Sequence, residues 1–133
     1  MPTLHTYDYA LIRVVPRVER EEFVNAGVLV SCERPPLLLA RIALDVARLR
    51  ALDPDVDLEM VQRQLAAIER ICNGEASSGP IAALPLRARF HWLTARRSAV
   101  IQTSPVHSGR CDDPQRIVAH LIARMVETPG RAG

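Results

Sequence analysis

The stretch Tyr9-Ala-Leu-Ile-Arg-Val-Val15 constrains the fold more than any other. It is rich in apolar and β-branched residues, and Pro16, which has no N–H to give a ladder, ends it. Alternation places Tyr9, Leu11, Arg13 and Val15 on one face and Ala10, Ile12 and Val14 on the other. Both faces are largely apolar, which calls for a central strand covered on both sides. Arg13 is the exception. It either snorkels past the sheet edge or is a paired charge in a pocket.

Arg17–Glu22 is a charged connection, and Phe23-Val-Asn-Ala-Gly-Val-Leu-Val-Ser-Cys32 follows. Asn25-Ala-Gly27 tolerates positive φ, so a bulge or tight bend is expected there before the strand resumes over Val28–Cys32. Strand, short loop, strand reads as an antiparallel pair. The simplest role for Asn25 is a bond to its own backbone. Alternatively Glu21, Glu22 and Asn25 share a cleft with Arg13, and Arg41 on the next strand joins them.

The pattern YALIRVVPRVEREEFVNAGVLVSC resembles the N-terminal signature of a bacterial family known as a domain of unknown function, number 3037. RIALDVARLRALDPDVDLE, RFHWLTARRSAVIQTSPVHSG and the following CDDP resemble it too, so the likeness covers nearly the whole chain. The resemblance implies a small bacterial protein with no catalytic residues or cofactor to carry over. It also implies a partner, because genes of the family often lie beside one for a kinase resembling HipA, the toxin kinase.

A length of 133 residues suits one domain with a sound core, with residues 1–6 and 128–133 expected to fray. No run of about 18 apolar residues is present to span a membrane. Met1–Asp8 lacks the basic and apolar regions of a secretory signal. The three widely spaced cysteines, Cys32, Cys72 and Cys111, suit reduced thiols in the cytoplasm. All 17 basic residues are arginine, which pairs bidentately with phosphate and carboxylate. A net charge of +2 and 4% aromatics argue against a dedicated nucleic-acid binder.

Leu37–Leu44 reads as a third strand after the turn Glu33-Arg-Pro-Pro36. Asp45 caps a short helix, Val46–Leu52. Asp53-Pro-Asp-Val-Asp57 lacks the glycine and terminal glutamate of a calcium loop and reads as a cap. Leu58, Val61, Leu65, Ile68 and Cys72 form the stripe of the main helix, stopped by Asn73-Gly74. Glu75–Leu86 is a connection with a helical turn near Ile81–Leu84. Arg89–Leu93 is expected as a fourth strand, with Phe90 and Trp92 on one face, and Ser98–Thr103 as a fifth that closes a second hairpin with it. Ser104–Asp113 reads as a long polar loop, and Asp112 or Asp113 caps a helix running to about Glu127. Its buried face is Ile117, Val118, Leu121, Ile122 and Met125.

That loop is the second candidate site, through Ser104, His107, Asp112 and Asp113, with Cys111 weighed as a nucleophile or metal ligand. No paired ligand motif such as C-x-x-C accompanies it, so neither a catalytic residue nor a metal is assigned. Arg89, Arg96, Arg97 and Ser98 form either an anion site or a solvated turn. No P-loop, Rossmann glycine pattern, H-E-x-x-H or nucleophile elbow is present.

The expected fold is α+β. It is a single domain with a mostly antiparallel sheet of about five strands and two longer helices packed on it, in the order β-β-β-α-α-β-β-α. An open sheet edge offers a surface to a partner or a second copy. Function is expected to be that of a non-catalytic interaction or regulatory module, with the HipA-like kinase as its partner. The alternative is a small enzyme acting on a phosphorylated or nucleotide-like ligand near Arg13, Glu22, Asn25 and Arg41. Nucleic-acid binding through the arginines is a weaker third.

Overall fold

The first strand, β1 (His5–Val14), is the axis of the sheet. β2 (Val24–Cys32) pairs antiparallel along one side of it, and β3 (Leu37–Ile42) pairs with β2. In the computed structural model, which describes residues 3–129, β1 begins before the apolar run, with His5 and Thr6 already in strand. The fraying expected at 1–2 and 130–133 lies outside the described residues.

The chain then turns helical. α1 (Val46–Leu52) and α2 (Leu58–Cys72) are capped by Asp45 and Asp57, whose carboxylates accept from the N–H of Arg48 and Met60. Asp53 accepts from the Asp55 N–H, so these acids serve the chain's turns. Gly74, with φ of 70°, ends α2 as its composition requires. A helical turn occupies Pro80–Ala83, close to the one expected. α3 (Leu86–Leu93) follows, then β4 (Ile101–Thr103), β5 (His107–Cys111) and α4 (Pro114–Leu121), which runs into a π turn, Ile122–Val126.

The sheet is antiparallel and five-stranded, in the order β3-β2-β1-β4, with β5 also on β1. Both faces of β1 are covered, as its two apolar sides demand. Ile12 and Val14 pack with Leu49, Val61, Leu65, Phe90 and Leu93 of α1–α3. Tyr7 of β1 and Val28, Val30 and Cys32 of β2 pack with Val118, Leu121, Ile122 and Val126 on the opposite face. Each fully buried Leu, Val or Phe contributes about 1.5–3 kcal/mol, so these two clusters hold the layers.

The fold is the α+β class expected, but one strand assignment fails. Arg89–Leu93 is not a strand; it lies in α3. Phe90 and Trp92 mimic a period of two, yet Phe90 and Leu93 are the buried pair and Trp92 is 39% exposed. The helical period of three to four wins. The second hairpin is therefore absent. β4 covers only Ile101–Thr103 of the expected Ser98–Thr103, and it pairs with β1. The supposed loop Ser104–Asp113 contains β5, a mostly exposed edge strand without the apolar alternation that marks a strand in sequence. The element order thus gains a fourth helix, α3, and reads β-β-β-α-α-α-β-β-α.

Two details revise local expectations. The bulge near Asn25-Ala-Gly27 is present: Ile12 faces Gly27 and Arg13 faces Asn25, leaving Ala26 extra. None of those three residues has positive φ; Glu21, at 57°, does. Gly27 is needed for space, because a Cβ there meets the Arg41 carbonyl at 2.5 Å. At the C-terminal helix, Val126 is buried and Met125 is exposed, the reverse of the expected stripe. The π turn, with Glu127 N–H donating to the Ile122 carbonyl, adds a residue and shifts the register.

Candidate functional site

Arg13 lies near the C-terminal end of β1, between Asn25 of β2 and Gln102 of β4. Its guanidinium carbon sits over the Phe23 ring, 4.1 Å from the centroid. The Nε is buried and has no hydrogen-bond partner. Among the described residues Arg13 is therefore neither a free snorkelling side chain nor the member of a carboxylate pair. An aromatic ring holds it.

A cleft of about 1040 Å³ opens beside it. One wall comes from the β1–β2 connection, through Arg13, Val15, Val18, Glu21 and Phe23. The other comes from Thr94–Ser98 after α3 and from Gln102–Pro105. Arg97 stacks on Trp92, 4.6 Å from the ring centroid, and donates to the Trp92 carbonyl. Arg96 lines the cleft as well. Three arginines thus line the cleft with one acidic residue, Glu21, and with Thr94, Ser98 and Thr103. Arginines fixed by stacking are preorganised to grip phosphate or carboxylate oxygens.

The candidate residues of the first group separate in space. Glu22 pairs with exposed Arg20 at 2.5 Å, and the hydrogen bond from Arg20 holds its carboxyl below the usual range. Asn25 donates through Nδ2 to the Met125 carbonyl at 3.0 Å, docking the π turn on the sheet. Its Oδ1 is buried without a partner. Arg41 lies on β3, two strands from Arg13, and is exposed. None of the three lines the cleft.

The second group separates too. Ser104 lines the cleft, but its Oγ accepts from the Leu11 N–H at 2.8 Å and donates to the Pro105 carbonyl at 2.9 Å. It splices β4 to β5 along β1. His107 stacks on Tyr9 with centroids 5.4 Å apart. Asp113 caps α4 by accepting from the Gln115 N–H at 3.0 Å, and Asp112 is exposed. His107 and Cys111 stand at opposite ends of β5, about 13 Å apart at strand rise, so they form no dyad. Among the described residues no three His, Cys, Asp or Glu side chains gather to hold a metal.

Of the arginine group, Arg89 leaves. Its guanidinium donates to the carbonyls of Ile71, Cys72 and Leu84, satisfying the C-terminal end of α2. Arg96, Arg97 and Ser98 join Arg13 in the cleft.

One network escaped the sequence reading. Arg87 of α3 donates to Asp8 Oδ2 at 2.6 Å and to Ser31 Oγ at 3.1 Å, and Ser108 Oγ donates to Asp8 Oδ1 at 2.5 Å. Burial raises the Asp8 carboxyl pKa, but the bonds from Ser108 and Arg87 and the Arg87 charge more than offset it and hold the group below its usual value. Asp8 shares the parity of Ala10 and Ile12 on β1, an odd place for a carboxylate. That was the available signal. Arg87 gave none, being 79 residues away.

No curated protein and no solved structure matches this chain. A family model does, over residues 9–126, which takes in β1 from Tyr9 onward, the cleft and most of both core layers. The chain belongs to the family described as Protein of unknown function (DUF3037).

Proposed function

We propose that this chain is a non-catalytic recognition module whose ligand is anionic and binds in the arginine cleft. The observation that carries this reading is that Arg13, held over Phe23, lines a cleft together with Arg96 and Arg97 and a single acidic residue, Glu21.

The make-up of the lining favours binding over chemistry. It contains no histidine or cysteine and a single acid, Glu21, which is short of the acid and base that proton transfer needs. The alternative, an enzyme on a phosphorylated ligand, shares the cleft and differs in turnover. The partner suggested by the family resemblance is a kinase resembling HipA, and co-purification with a stoichiometric kinase checks it. Three buried free thiols suit a reducing compartment, the cytoplasm.

Thermal unfolding in inorganic pyrophosphate tests the anion reading. A ligand at a hundred times its Kd stabilises by about 2.7 kcal/mol. An upward shift in Tm beyond that in sodium chloride of equal ionic strength supports the reading, and equal shifts overturn it.

A further inference from the structure

The cleft runs into a free sheet edge. β4 and β5 pair with β1 and with no other strand among the described residues, so their outer N–H and C=O groups are open to an added strand. β5 is five residues long, enough to pair with a peptide over about 17 Å. Pro105 has no N–H and interrupts the edge between the two strands, beside Val106, which is 44% exposed. Beyond Pro105 lies the cleft, with Arg13, Arg96 and Arg97 against Glu21.

We propose that edge and cleft together receive one extended acidic peptide segment of a partner protein. It adds to β5 as a sixth strand and carries its acidic side chains past Pro105 to the three arginines. The proposal rests on the anionic reading of the cleft and names the ligand's class. Strand addition draws affinity from main-chain hydrogen bonds and selectivity from side chains. A small phosphate ester meets the charge and leaves the edge unused. A nucleic-acid strand meets the charge but brings no amide to the edge.

The test displaces pyrophosphate with a peptide of alternating valine and glutamate that ends in a run of glutamates. A second peptide of the same sequence, N-methylated at alternate amides, keeps every charge and loses the edge bonds. The plain peptide is expected to bind about tenfold more tightly than the methylated one, and Arg97→Gln is expected to weaken both. Equal binding of the two peptides overturns the edge. Displacement by a single-stranded oligonucleotide and not by the peptide overturns the class of ligand. Pyrophosphate that binds but resists the peptide overturns this proposal alone. Pyrophosphate that does not bind overturns the anionic reading beneath it.

Discussion

Arg13 and Phe23 sit on opposite sides of the connected end of the β1–β2 hairpin, and the guanidinium carbon lies 4.1 Å from the ring centroid. This contact lets a charged residue stand on a β1 face whose other members, Tyr7, Tyr9 and Leu11, pack against α4. It also aims the cation at the cleft. A cation–π contact is worth about 0.5–2 kcal/mol. Phe23→Leu is therefore expected to weaken pyrophosphate binding by about two- to thirtyfold, read by calorimetric titration. Unchanged affinity removes Phe23 from the site.

Gly27 is held to its identity by the backbone of β3. Its Cβ position lies 2.5 Å from the Arg41 carbonyl oxygen. Gly27→Ala must push β2 and β3 apart or shift the bulge, and a loss of about 1–3 kcal/mol is expected, as for overpacking elsewhere. Urea unfolding measures it, and a loss under about 0.5 kcal/mol contradicts the contact.

Asp8 and Arg87 tie α3 to the sheet. The lowered Asp8 pKa means the native state holds this proton less tightly than the unfolded chain does. Its contribution is complete above the unfolded value, about pH 4. It is lost as pH falls through the lower folded value. Asp8→Asn is expected to flatten stability against pH in that acid window. It also lowers stability near neutrality by about 1–3 kcal/mol. An acid limb identical to the parent's contradicts the network.

The cysteines are structural. Burial pushes the Cys72 thiol up to about 12, and it also raises Cys111. Cys32, Cys72 and Cys111 are all buried. A thiol-specific disulfide reagent at pH 8 is expected to find no fast-reacting group in the folded protein and three in denaturant. Rapid labelling of one thiol in the native state contradicts this.

Much of the framework was legible in the chain. The two-sided apolar run of β1, the stripe of α2, and the capping acids Asp45, Asp57 and Asp113 each carry a local signal, and each forms as read. What failed had no local signal or a misleading one. Phe90 and Trp92 alternate like a strand inside a helix. β5 is a polar edge strand, and edges need no apolar periodicity. The site was half legible. Arg13 stood out as a charge on an apolar face, and Arg96, Arg97 and Ser98 as a basic turn. Their meeting depends on β4 pairing with β1, a contact across about 90 residues that no local pattern announces. Asn25 and Glu22 lay nearer in sequence and point elsewhere.

The most direct test of the arginine cleft is a calorimetric titration of pyrophosphate into the parent protein and into the Arg96→Gln, Arg97→Gln double variant. Both side chains are exposed, so the variant is expected to keep its stability within about 1 kcal/mol. Binding by the parent is expected, and it weakens with added salt. The variant is expected to lose at least about tenfold in affinity. Equal affinity in the two proteins, or no binding by either, contradicts anion binding in the arginine cleft.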